Sequence, residues 1–533
     1  MEPQMNTDGQ RNTGRYQAPR TRSHVSFVSI CVYLSIILLA SCASKPTDLR
    51  SLAPSDSLIY LETSDLGAAL QPIADSKSFN DAANSKPDLS AIKGVQVAIA
   101  VTGFETSENK IDEENSELNF KPHFVAIADT HAWQWQANSF AENQLGEFIN
   151  KVYGGGVQLN TSSKDGGTSY VWTAEDGRKA YGFVAGSLIF FGNDQSSIDK
   201  VQAVRRGEAD AIAKTGKVPD ANGNIAVGYV STDGIGQLAN IVGAQKAKES
   251  GEASEVQSFV ARVLPQLLRG SVKEVTWTAR KIDSGLEDKL SLTLEPEVAS
   301  VMNETFAAAD TPDNSLLAFA PSDAATVTQY NLKSPLIGWR SVLLLTQKLS
   351  DPTSGKLIAA FSNSFFEPYG IKDGEMFLGA VSPGVVTVKY DEEDAVCVIA
   401  KTSNPTGRKN ALDPETLKTA GANIEITDPG FSGIALNGDA ATVQKCIQAH
   451  QSSQNLSDQA KTNETTPSIR TFGIDRDSAA AVASVLNEKK SDEIAPASRY
   501  VVETRFNKTG MERKLTSEFG LIGSLIAMLA TEE

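Results

Sequence analysis

Pro54-Ser-Asp-Ser-Leu-Ile-Tyr-Leu-Glu-Thr-Ser-Asp65 has a counterpart 258 residues further on, Pro312-Asp-Asn-Ser-Leu-Leu-Ala-Phe-Ala-Pro-Ser-Asp323. Four more blocks recur behind it in the same order. Phe124-Val-Ala-Ile-Ala-Asp-Thr130 corresponds to Val396-Cys-Val-Ile-Ala-Lys-Thr402 at a spacing of 272, and Asp194, Ile198, Lys200 and Val201 correspond to Asp439, Val443, Lys445 and Cys446 at 245. Ile225 to Val242 corresponds to Ile469 to Leu486 at 244, and Arg280 to Ser291 corresponds to Arg505 to Thr516 at 225. Five blocks in one order are far more specific than any single short motif. The expected organisation is two diverged tandem copies of one unit, residues 54–308 and 309–533, with Leu58 equivalent to Leu316 and Leu290 to Leu515.

Within each copy, strand-like and helix-like patterns alternate. Leu58 to Leu61 and Val95 to Val101 are β-type runs, and Asp65 to Ala74 has helical spacing behind an aspartate cap. Tyr170 to Thr173, Ala180 to Val184 and Leu188 to Phe191 read as an antiparallel meander. Asp194 and Asp439 stand where a helix N-cap accepts backbone N–H bonds, and Gly285 and Gly510 stand in turns that call for a positive backbone angle. The fold class is α+β, a mostly antiparallel sheet with helices. Changes in spacing point to insertions: a helical pair near Leu336 to Leu349 and Leu357 to Phe366 in the second unit, and a helix near Glu255 to Leu268 in the first. The apolar faces of the pair are expected to bury against the first unit. Trp133 and Trp135 are expected in the core, and Glu105 to Leu118 and Gln451 to Thr466 as solvated polar excursions.

Ahead of the first unit, Arg11, Arg15, Arg20 and Arg22 precede a 15-residue apolar run, Val25 to Leu39, that closes on Leu39-Ala40-Ser41-Cys42. The run is shorter than the roughly 20 residues of a spanning helix and suits an export signal. The ending resembles the lipobox of bacterial lipoproteins, which implies a diacylglyceryl group on Cys42 and cleavage before it. Residues 1–41 are then the signal peptide and 42–53 a lipidated tether. An uncleaved membrane anchor is the alternative, and both place the bulk of the chain outside the cytoplasm. Ala43 is not the aspartate that this class uses for inner-membrane retention, so the expected location is the bacterial envelope, lipid-anchored at the outer membrane.

The net charge of −16 falls to −18 without residues 1–41, which disfavours nucleic acid as a partner and leaves anchoring to the acyl chains. Cys397 and Cys446 match Val125 and Val201 in the repeat and read as small buried hydrophobes. The opening Ala53-Pro-Ser-Asp-Ser-Leu-Ile-Tyr-Leu-Glu-Thr-Ser-Asp-Leu66 resembles an uncharacterised family of bacterial envelope proteins that begins with a Pro-x-Asp-Ser/Thr-Leu-x-Tyr-x-Glu element. That resemblance implies location and fold and carries no assigned activity or site.

No nucleophile elbow, phosphate loop, His-Glu-x-x-His or EF-hand loop is present in the sequence. Ser197-Ile-Asp-Lys200 and Lys508-Thr-Gly510 echo a penicillin-recognising hydrolase, but the matching places hold Thr442 and Asp283-Ser-Gly285, ordinary helix-start and turn residues. His123, His131 and His450 show no ligand spacing, and His24 leaves with the signal. No catalytic residue, cofactor or metal is therefore assigned, and Cys42 is the one site residue. The expected function is non-enzymatic: binding of an envelope protein or cell-wall component by a membrane-anchored body. A carrier of a lipid or other apolar ligand ranks second and an envelope hydrolase third.

Overall fold

In the computed structural model, residues 47–110, 116–249, 255–311, 313–392, 395–460, 466–486 and 497–528 are described. Cys42, the expected signal at residues 1–41 and Pro312 lie outside them. Side chains that point alternately to the two faces of a strand give Ile59–Thr63 its every-second-residue burial, with Tyr60 and Glu62 buried. The first half contributes β1 (Ile59–Thr63), β2 (Gln96–Lys110), β3 (Ser116–Asp129), β4 (Gln158–Lys164), β5 (Gly167–Thr173), β6 (Lys179–Ala185), β7 (Leu188–Gly192), β8 (Ala226–Val230), β9 (Val272–Ile282) and β10 (Gly285–Leu294). The second contributes β11 (Thr326–Tyr330), β12 (Val381–Lys389), β13 (Val396–Thr402), β14 (Asn423–Ile426), β15 (Ile434–Gly438), β16 (Ile469–Asp475), β17 (Ser498–Asn507) and β18 (Gly510–Ser517).

All 18 strands join one antiparallel sheet, so the chain is α+β. In the first half β1 lies between β2 and β8, β3 links β2 to β7, β6 flanks β7, and β9 joins β8 to β10. In the second, β11 lies between β12 and β16, β13 links β12 to β15, β14 flanks β15, and β17 joins β16 to β18. The two orders correspond strand for strand, apart from the additional hairpin β4–β5. The halves meet where β10 pairs with β18, from Leu286 opposite Ser517 to Thr293 opposite Gly510.

The expected equivalence of Leu58 and Leu316 does not hold. Leu316 sits in a 3-10 turn, Asn314–Phe319, whereas Leu58 leads into β1. What corresponds is Ala53-Pro-Ser-Asp56 and Ala320-Pro-Ser-Asp323, at a spacing of 267. Ser55 N–H donates to Asp210 and Ile212 N–H to Ala53, just as Ser322 N–H donates to Gln454 and Leu456 N–H to Ala320. The repeated Leu-rich string misled because an apolar run reads alike in a 3-10 turn and a strand. For the same reason Thr47 to Ala53 is not free tether: Leu49 and Ala53 are fully buried in the first half's core.

Two further segments differ from expectation. Glu105 to Lys110 and Ser116 to Leu118 continue the β2–β3 hairpin where a loop was expected, with Glu105 opposite Lys121 and Glu108 opposite Leu118, and Glu105, Thr106 and Ser107 are exposed as expected. The helical pair Pro335–Leu349 and Pro352–Phe361 has a shorter counterpart between β1 and β2, Leu66–Asp75 and Lys77–Ala82, so it enlarges a shared element. It does pack against the first half as expected: Leu343, Ile358 and Phe361 of the pair cluster with Val263 and Leu267 of the helix Glu255–Ser271.

One face of the sheet carries a core that spans the halves, with Leu286, Val97 and Ile99 beside Phe519, Ile526 and Val482. The opposite face carries two separate cores. Tyr60, Ile127 and Phe190 are covered by Leu49, Ile198 and Val201, and Val386, Ile399 and Leu436 by Leu317, Val443 and Cys446. Between them the middle strands are left open.

Candidate functional site

The open middle is a charged groove centred on the β10–β18 junction. Residues facing each other directly across antiparallel strands point to one face, and a single row can be followed across it. From the first core it runs Phe190, Ile127, Ala98, Glu62, Val227, Thr278, Lys289, and on through Lys514, Glu503, Arg470, Gln329 and Val386 into the second. Apolar side chains occupy its ends and charges its centre.

Lys289 lies directly opposite Lys514, which sets two like charges on adjacent strands. Carboxylates relieve the repulsion. Lys289 Nζ is 2.6 Å from Glu512 Oε2, and Lys514 Nζ is 3.4 Å from Glu503 Oε2. Arg280 Nη2 meets Glu287 Oε1 at 2.6 Å. Glu503 is the anchor of the second bank, with Oε1 accepting from Arg470 Nε at 3.1 Å and Nη2 at 3.0 Å and Oε2 accepting from Arg505 Nη2 at 3.0 Å. Arg470 and Glu503 are both nearly fully buried, so this pair is desolvated, while Lys289 stays half-exposed. The groove measures about 550 Å³, with Asn224 and Thr278 among its polar lining.

Among the described residues the groove is lined by four cations, Arg280, Lys289, Arg505 and Lys514, and two carboxylates, Glu287 and Glu512, with the Arg470–Glu503 pair buried beside them. The excess is positive on a chain of net charge −16. Two glycines let the junction form. A Cβ on Gly510 would lie 2.0 Å from the Leu292 carbonyl oxygen and one on Gly285 2.4 Å from that of Ser517, and both have positive φ. Their repetition was legible as a turn signal, but their role in bringing β10 against β18 was not.

On the other face Asp288 is fully buried and accepts from the Trp277 indole Nε1 at 2.7 Å and from Leu521 N–H at 2.9 Å. Burial pushes its carboxyl above the usual carboxylate range, against the pull of those two bonds. Glu62 is likewise pushed up by burial, while accepting from Tyr60 OH at 2.9 Å.

The residues singled out in sequence are scattered. Cys42 lies outside the described residues. Asp194 and Asp439 cap helices, accepting from Ser197 N–H at 3.0 Å and Thr442 N–H at 2.8 Å. Buried Ser197 places Oγ 2.7 Å from Thr102 Oγ1, and Lys200 pairs with Asp56. Lys508 stands in the β17–β18 turn, six strands from the β2 that carries Thr102, about 29 Å at ordinary strand spacing. His450 stacks on Phe319 at 4.3 Å and His123 lies by Glu105. Cys397 and Cys446 are buried thiols, with Cys397 pushed well above the usual thiol range by burial and by its neighbour Cys446. Trp133 and Trp135, expected in the core, are 73% and 67% exposed.

The groove residues escaped notice in sequence. Their signal is the alternation in Gly285-Leu-Glu-Asp-Lys-Leu290 and Gly510-Met-Glu-Arg-Lys-Leu515, which sets Glu287 with Lys289, and Glu512 with Lys514, on one strand face. Compared with known protein families, curated proteins and solved structures, the chain matches none. Among the described residues no helix is long and apolar enough to cross a membrane, and no three His, Cys, Asp or Glu side chains are grouped to hold a metal ion.

Proposed function

We propose that this chain is a lipid-anchored protein of a bacterial envelope, held at the outer membrane through Cys42, and that its role is binding and not catalysis. The two halves are diverged copies of one α+β unit, a reading supported by the corresponding strand orders and by the recurring Ala-Pro-Ser-Asp string. The observation that carries the binding role is the groove between the two covered parts of one sheet face, lined among the described residues by four cations and two carboxylates. Its occupant is a carboxylate-bearing envelope component, of the kind that cell-wall peptides present. Two half-exposed cations, Arg280 and Lys289, attract such a group at close range, while the strongly acidic body around them repels it elsewhere.

A photo-crosslinking side chain at Thr278, on the groove floor, tests this in intact cells. The expected result is an adduct with a cell-wall peptide that vanishes when Lys289 and Lys514 are both changed to Glu and the fold is retained. An adduct indifferent to that reversal sinks the reading.

A further inference from the structure

Trp133 and Trp135 stand out because large indoles are rarely left in water without a use, and these two are the most exposed tryptophans among the described residues. Their backbone is firmly held. Trp133 N–H donates to Gln136 Oε1 at 2.9 Å, and Ala137, Phe140 and Ala141 behind them are buried in the core. The indoles are therefore presented on a rigid element. From Ala132 to Ala141 there is no charged residue at all, on a chain that is otherwise strongly acidic.

Their place in the fold says what they face. Four residues before Trp133, the buried Asp129 accepts from His131 N–H at 3.0 Å and from the hydroxyl of Thr47. Thr47 is further fixed by its N–H donating to Gln96 Oε1 at 3.0 Å and its carbonyl accepting from Gln96 Nε2 at 2.9 Å. So Thr47, the first of the described residues, is pinned beside the loop that leads to the indoles. Only four residues lie between Cys42 and Thr47, and the five steps from one to the other extend to roughly 18 Å at most. A bilayer holding acyl chains on Cys42 lies within that reach.

We infer that Trp133 and Trp135 dock the folded body onto the bilayer that holds its amino-terminal end, seating their rings in the headgroup region. Tryptophan is suited to that layer, since its ring is apolar and its N–H finds a polar partner there. The uncharged stretch from Ala132 to Ala141 limits the repulsion that anionic lipid exerts on acidic side chains. Docking at two indoles beside a short tether turns a freely swivelling anchor into a body of set orientation, with the groove held at a defined height. The inference rests on the membrane-anchored reading above.

The test uses full-length protein extracted from bacterial membranes and reconstituted into phosphatidylcholine vesicles with brominated acyl chains, which quench indole emission at the bilayer. Of the other described tryptophans, Trp172 and Trp277 are buried. Quenching is expected in the natural chain and is expected to be largely lost in Trp133→Phe/Trp135→Phe, which should keep its melting temperature because both rings are exposed. Vesicle-bound protein whose emission is unquenched, or quenched equally in the double variant, overturns the docking. A response to soluble glycan strands but not to brominated lipid also overturns it and makes the pair a sugar platform. Labelled palmitate, followed on the same preparation, reports on Cys42 separately. Quenching without label refutes the acyl anchor yet supports the docking, with Val25 to Leu39 then holding the chain. Protein that does not stay with the vesicles refutes both.

Discussion

Asp288 accepts the backbone N–H of Leu521 through Oδ2 at 2.9 Å, tying the last strand of the first half to the helix Gly520–Ala527 that ends the described second half. The same carboxylate accepts from Trp277 Nε1 through its other oxygen. Replacing it with alanine leaves two buried donors without an acceptor, so Asp288→Ala is expected to lower stability by about 2–4 kcal/mol in chemical denaturation.

Asp288 also makes a pH-dependent contribution. Because burial raises its value in the folded state, the folded carboxyl keeps a proton at pH values where the unfolded one has lost it. The folded state then binds more protons, and stability falls as pH rises from about 4 through the raised value. Measured against Asp288→Asn, which does not titrate, the natural chain should lose stability over that window and run parallel above it. A relative gain with rising pH contradicts the assignment.

Arg470 and Glu503 form a buried pair whose carboxylate also meets Arg505 and Lys514. Arg470→Ala removes the two bonds to Glu503 Oε1 while Arg505 and Lys514 stay on Oε2, and is expected to cost about 2–3 kcal/mol. Replacing Arg470 and Glu503 together with Leu should cost less than the single change. If the double variant is the weaker of the two, the pair is contributing more than its mutual compensation.

Gly510→Ala brings a Cβ against the Leu292 carbonyl at a backbone angle that L residues rarely adopt. A loss of more than about 1 kcal/mol is expected, with amide exchange accelerated along β10 and β18 before the outer strands. Uniform acceleration in all strands would mean that the junction is not a separate weak point.

Cys42 is expected to carry the lipid, since it alone closes the apolar run with the small-residue pattern. Labelled palmitate should enter the natural protein and be absent from Cys42→Ser. Persistent labelling would remove the anchor.

Much of the local structure was legible in the chain. The caps at Asp194 and Asp439, the meander from Gly167–Thr173 to Leu188–Gly192 and the turns before Gly285 and Gly510 depend on neighbours a few residues away, so residue type and spacing carry them. The misplaced Leu316 and the misjudged Glu105 to Leu118 show where that stops. An apolar string serves a 3-10 turn as well as a strand, and a polar one serves a hairpin extending beyond the core as well as a loop.

The sequence by itself determined the α+β alternation and the capping residues, and it raised the expectations of an export-type opening and of two related halves, because each rests on short-range pattern or on order along the chain. Only the tertiary structure decided that β10 pairs with β18, so that Lys289 faces Lys514 across the junction and a charged groove lies between two cores. It alone set Trp133 and Trp135 outside the core and Thr47 beside Asp129. The reason is physical. Strand pairing and burial depend on which surfaces meet across hundreds of residues, and a strand carries the same alternation whether its polar face meets water, a neighbouring charge or a partner.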